Sequence, residues 1–188
     1  MKKLTILAIL LTFVLAACGA ASKPVPELTQ SMSSESIAGA TLTVTYPDGW
    51  FAEDQTNANI TITNTQSLLT SGAEGIRRGQ IMLFIGLIDS NGLSESIPVL
   101  SPRNIVARFS QLLSNGQASD DDFEELTING HETVIAKLES DTGGEGATLI
   151  VMEIDGNYVM ISAMTKANEV ESYQELVRAI VATISLDG

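Results

Sequence analysis

The sequence predicts an α+β fold, with an antiparallel β-sheet of about six to seven strands flanked by two amphipathic helices. Three observations predict it. Short β-branched or apolar runs end in turn residues, above all Asn129-Gly130 and Asp155-Gly156-Asn157. Only two stretches, after Ser101 and after Asn168, repeat apolar residues at helical spacing. The run 80–88 is apolar almost throughout, so it reads as a central strand covered on both faces. Two helices can supply that cover from opposite sides.

The elements follow in order. Thr41-Leu42-Thr43-Val44-Thr45-Tyr46 alternates as a strand, and Pro47-Asp48-Gly49 stops it before the aromatic pair Trp50 and Phe51. Asn59-Ile60-Thr61-Ile62-Thr63 is a second strand, and Gln80 to Ile88 a third. A helix then starts with Ser101 as N-cap and Pro102 in the first turn, where a missing amide costs nothing. Ile105, Val106, Phe109, Leu112 and Leu113 share one face of it, and Asn115-Gly116 ends it. Leu126 to Ile128 and His131 to Leu138 form a hairpin, with Val134 and Ala136 on one face and Ile135 on the other. Ala147 to Ile154 and Tyr158 to Met164 form another. A last helix, with Asn168 as its cap, places Tyr173, Leu176, Val177, Ile180, Val181 and Ile184 along one stripe.

The amino terminus reads differently. Met1-Lys2-Lys3 is basic, Leu4 through Leu15 is apolar, and small residues lead to the only cysteine, Cys18. That order is a secretory signal, too short to span a bilayer, which needs about 20 residues. Leu15-Ala16-Ala17-Cys18 resembles the lipobox of bacterial lipoproteins. The resemblance implies cleavage after residue 17, acyl chains on Cys18 and an envelope location facing outside the cytoplasm. That would be the outer membrane in a diderm host, since Gly19 is no retention signal, and the cell membrane in a monoderm one. Residues 18–40 are small and polar, so the lipidated cysteine is expected to lead into a flexible tether, with one domain over 41–188.

Charge narrows the function classes. The chain carries −13, and removing Lys2 and Lys3 with residues 1–17 makes it −15. Nucleic acid is excluded as a partner, because phosphate contacts need clustered Lys and Arg. Anionic headgroups should also repel the body of the domain, leaving acyl chains as its hold on the membrane. No cysteine remains for a disulfide, so the core must hold the fold alone.

Catalytic constellations are sparse. His131, the only histidine, sits just past a hairpin turn, where an exposed polar side chain is expected rather than a triad member. One histidine and one cysteine disfavour zinc. Asp141-Thr142-Gly143 matches the aspartic-protease tripeptide but occurs once, and a hairpin turn explains it. Gly72 to Gly79 lacks the lysine of a phosphate loop. Calcium has the better ligands, since Asp120, Asp121, Asp122, Glu124 and Glu125 place five carboxylates within six positions. A solvated acidic face explains the same run. Asp89-Ser90-Asn91-Gly92 resembles an EF-hand start with its glycine two positions early.

Tyr46-Pro47-Asp48-Gly49-Trp50, the Asn129-Gly130 hairpin, Asp155-Gly156-Asn157-Tyr158 and the closing Ala182-Thr183-Ile184 together resemble PsbP-like domains. These are α/β/α sandwiches around an antiparallel sheet and include small bacterial lipoproteins of the DcrB type. The resemblance spans most of 41–187 and implies a non-catalytic domain that binds an envelope protein or assists assembly, with no cofactor. The competing expectation is a carboxylate-based envelope hydrolase or ligand-binding protein, with or without calcium.

Overall fold

The computed structural model describes residues 23–35, 40–55, 59–73, 75–90, 93, 97–113, 123–138 and 144–187. Ten strands and three helices are described. The strands are β1 (Leu28–Glu35), β2 (Thr41–Pro47), β3 (Phe51–Gln55), β4 (Asn59–Thr63), β5 (Met82–Ile88), β6 (Phe123–Ile128), β7 (His131–Leu138), β8 (Glu145–Ile154), β9 (Asn157–Lys166) and β10 (Ser185–Asp187). The helices are α1 (Ser67–Ser71), α2 (Pro102–Leu113) and α3 (Val170–Val181). Seven strands form one antiparallel sheet in the order β3-β4-β5-β9-β8-β7-β6. A second sheet of three, β1-β2-β10, was not anticipated as a separate layer.

Both hairpin signals act as expected. Asn129 and Gly130 have φ of 50° and 87°, and Asp155 and Gly156 have φ of 50° and 80°. Two successive positive φ values make the tight turn whose twist matches the flanking strands.

Alternation along the strands splits the core in two. Ile135, Ile150, Met152, Val159 and Ile161 pack with α3 residues and with Leu42, Val44 and Tyr46 of β2. Val134, Ala136, Leu149, Val151 and Tyr158 pack with Ile105 and Val106 of α2. The two helices therefore cover opposite faces, as the pattern required. On the α3 face, cross-strand pairing lines up Ile60, Ile85, Ile161, Ile150 and Ile135 in one row. Asp54 and Glu124 stand at its two ends on the edge strands. Charges at those positions discourage another chain from adding to the sheet.

Four expectations need correction. Residues 28–35, read as tether, pair with β2 over Leu28 to Glu35. The segment is polar because it is an edge strand; Leu28 and Met32 pack on the core, and Ser33 Oγ meets Thr43 Oγ1 at 2.8 Å. The run 80–88 lies inside the sheet but is not covered on both faces, because α2 lies over β7 and β8, leaving Phe84 of β5 38% exposed. Ser101 does cap α2, accepting from Asn104 N at 3.2 Å, yet Leu112 and Leu113 are 58% and 59% exposed. Leu113 falls seven residues after buried Val106, on the same stripe, so the last turn projects past its cover. Asn168 is not a cap but lies within the 3-10 turn Ala167–Glu169, and α3 starts after it with no side-chain cap.

Candidate functional site

A polar cluster gathers where α3 begins. Gly79, at φ 82°, turns the chain into β5, a conformation that favours glycine. Its N–H donates to Glu169 Oε2 at 2.7 Å, and its carbonyl accepts from Tyr173 Oη at 2.7 Å. Lys23 Nζ stands 3.7 Å from Glu169 Oε1 and 3.7 Å from the Tyr173 ring centroid. Lys23 N–H also donates to Ser172 O at 3.2 Å. The Glu169 side chain is only 10% exposed, and burying a carboxylate is costly unless it is hydrogen-bonded and paired as here. Sequence reading passed over this cluster, since nothing marks Glu169 apart from other acids near a helix start.

The proposed calcium ligands are not brought together where they are described. Glu124 and Glu125 alternate along edge strand β6. Glu124 Oε2 accepts from Arg178 Nη2 of α3 at 2.5 Å, while Glu125 accepts from Arg103 of α2. They thus serve opposite faces of the sheet, each neutralised by an arginine. Asp120, Asp121 and Asp122 lie outside the described residues, as does Cys18. Among the described residues no group of three or more His, Cys, Asp or Glu could hold a metal ion.

The Arg178 guanidinium, through its hydrogen bond, holds the Glu124 carboxyl below its ordinary value; partial burial opposes this and Lys137 adds to it. A depressed carboxylate stabilises the fold fully above its unfolded pKa, and that contribution is lost as pH falls through the folded value. The pair is half exposed, so salt should weaken it. Arg178→Gln is expected to move the Glu124 midpoint upward in an NMR titration. An unchanged midpoint would show that the guanidinium is not the cause.

The remaining sequence candidates are scattered. His131 is half-buried at the start of β7, opposite Ile128. Asp141, Thr142 and Gly143 lie outside the described residues, as do Asn91 and Gly92, while Asp89 is exposed. Burial raises the Tyr158 phenol above its ordinary value, with Glu153 and Glu132 adding to the effect. Its hydroxyl donates to Leu100 O at 3.3 Å, holding the approach to α2.

An apolar surface was also missed. Phe84 pairs across β5 with Thr61 of β4 and Ser162 of β9, all on the sheet face that carries α2. Thr61 Oγ1 is buried there with no hydrogen-bond partner among the described residues. Phe51, 36% exposed at the edge, points to the same face through its pair Thr63. Beyond it, Leu68, Ile76 and Met82 form a small satellite core. Phe84 and Phe51 are thus the large apolar side chains that stay partly open on this face.

Against known proteins, the chain is similar to cyanobacterial PsbP (CyanoP) from Synechocystis sp. PCC 6803. Identity is 14%, the match covers 92% of this chain and 98% of that one, and the TM-score is 0.48. The likeness is one of fold. A Bacteroides thetaiotaomicron VPI-5482 protein of known crystal structure matches 78% of this chain at 9% identity and a TM-score of 0.44. The present chain spans less than half of that protein, 45% of its length. No family model matches the chain, and no curated protein matches it in sequence.

Proposed function

We propose that this is a lipid-anchored protein of the cell envelope, acylated on Cys18, whose domain binds an envelope protein rather than catalysing a reaction. The reading draws on the sequence's resemblance to PsbP-like domains, a group that includes small lipoproteins of the DcrB type. The observation that supports protein binding is Phe84, 38% exposed inside the seven-stranded sheet, with Phe51 partly open on the same face at the edge strand. A surface built on strands keeps its shape, which lowers the cost of ordering an interface. Of the five acids expected to serve calcium, Glu124 and Glu125 are parted to opposite faces, and Asp120, Asp121 and Asp122 lie outside the described residues. Membrane attachment is supported by the lipobox, and among the described residues no helix is long and apolar enough to cross a bilayer. The domain would face outward from the cytoplasmic membrane of a monoderm or hang from the outer membrane of a diderm.

Two readouts test this. Cys18→Ala is expected to move the protein from the detergent phase to the aqueous phase of a Triton X-114 partition; unchanged retention sinks the anchor. A benzophenone amino acid at position 84 is expected to crosslink one envelope protein in native membranes, whereas the same group at exposed Asn157 does not. Equal labelling from both positions sinks the binding face.

A further inference from the structure

A lipid anchor and a docked chain together define an orientation. Lys23 is only five residues after Cys18, and five residues span at most about 18 Å when fully extended. A free tether over residues 19–40 would instead wander by roughly 26 Å root-mean-square and reach much farther when stretched. The contacts of Lys23 with Glu169, Tyr173 and Ser172 therefore move the effective end of the tether to the start of α3.

That point lies at one end of the seven-stranded sheet. Met82 of β5 pairs with Met164 there, and Glu145 of β8 with Lys166 of β9. The opposite end holds the turns at 129–130 and 155–156, where Asn129 Nδ2 donates to Ala182 O just past α3. A ten-residue strand such as β9 separates the two ends by about 30 Å.

Charge is distributed along the same axis. Of the ten Lys and Arg residues, eight remain once Lys2 and Lys3 are removed. Lys23, Arg77, Arg78, Lys137 and Lys166 all belong to the end near Lys23. The same end also carries acids: Glu169 pairs with Lys23, Glu171 with Lys137 at 2.6 Å, and Glu145 lies opposite Lys166 across β8 and β9. Arg77 and Arg78 are exposed with no ion-pair partner among the described residues. Glu74, Glu139 and Asp141, neighbours of this end in sequence, lie outside the described residues. The far end carries Asp89, Glu132, Glu153 and Asp155. Among the described residues the end closest to the anchor is thus the less acidic one, and repulsion from anionic headgroups, significant within about 10 Å, is least there.

We propose that the domain stands on the phospholipid headgroup layer on the end of its sheet marked by Gly79, Lys166 and the start of α3. The turns at 129–130 and 155–156, with Glu132, Glu153 and Asp155 at that end, then point away from the bilayer. The orientation rests on the lipid-anchor reading above and on Lys23 as the latch between anchor and domain.

The test uses the acylated full chain in phosphatidylethanolamine–phosphatidylglycerol vesicles containing a headgroup-attached acceptor dye. With Cys18 acylated, Arg78→Cys or Asn157→Cys supplies the only free thiol for a donor dye. Energy transfer from position 78 is expected to exceed that from position 157 several-fold, because about 30 Å of strand separates the two ends. Lys23→Ala, at a side chain 39% exposed and outside the core, should narrow that ratio. Equal transfer from the two positions overturns the orientation, and a ratio that survives Lys23→Ala overturns the latch. Flotation with the vesicles is scored separately: a chain that does not float removes the anchor reading, and the orientation with it.

Discussion

Ile161→Ala is expected to destabilise the domain by about 3–4 kcal/mol, the range of buried aliphatic truncations that leave a cavity. Ile161 is fully buried in β9 and sits at the centre of the isoleucine row, between Ile85 and Ile150. Those neighbours are held by backbone pairing on both sides, so they cannot close in on the missing atoms. The α3 face above them is equally fixed, with Tyr173, Leu176, Val177 and Ile180 all buried in the same cluster. With total stabilities near 0.05–0.15 kcal/mol per residue, such a loss is a substantial fraction of the whole. For about 150 residues it lowers Tm by roughly 10 °C. Ile161→Val should cost only about 1 kcal/mol, because most of the volume is retained. Urea unfolding of the soluble domain measures both changes; equal effects of the two variants would show that the site relaxes, contrary to this packing.

That row also shows what could be read from residues alone. Its isoleucines belong to strands whose alternation and turn residues were visible in the chain: Asn129-Gly130 and Asp155-Gly156 turn as their chemistry demands. The stripe of α3 was equally legible, since every residue assigned to it is buried. What stayed hidden depends on partners far away in sequence. Leu28–Glu35 is too polar to look like a strand, and only its pairing with β2, from Glu35 opposite Thr41 to Leu28 opposite Pro47, makes it one. β3 has a mostly exposed pattern, and β10 has three residues, below any periodic signal. Phe84 shares an apolar run with buried neighbours, so its exposure follows from where α2 lies and not from its own context. The Lys23–Glu169 cluster joins positions 146 residues apart, and no local pattern links them. The expectation at Cys18 is of another kind: a processing signal is read along the chain rather than across a fold, and Cys18 lies outside the described residues.

Gly146→Ala provides the second large effect, and its sign is the informative part. Gly146 lies in β8 opposite Thr165, and its φ is not positive, so alanine could adopt the backbone without strain. At such a site the substitution ordinarily stabilises by about 0.4–1 kcal/mol, because the unfolded chain loses freedom. Here an added Cβ would stand 2.6 Å from Val170 Cγ2 and 2.9 Å from Ala167 Cα. The first contact can be relieved by a side-chain shift; the second is backbone. Ala167 opens the 3-10 turn before α3, and its N–H donates to Gly144 O at 3.2 Å. Relief therefore requires that turn to move, and Glu169, two residues on, would move with it. Gly146→Ala is expected to lose about 2–3 kcal/mol, within the range for overpacked interiors. Val170→Ala in the same chain should recover part of that loss, since it removes one of the two collisions, and a double-mutant cycle measures the coupling. A variant as stable as the parent would mean that β8 and the turn do not approach as closely as 2.9 Å. A loss with no coupling to position 170 would assign the whole collision to Ala167. Because Glu169 holds both Gly79 and Lys23, the same substitution should also loosen the chain that leads to Cys18.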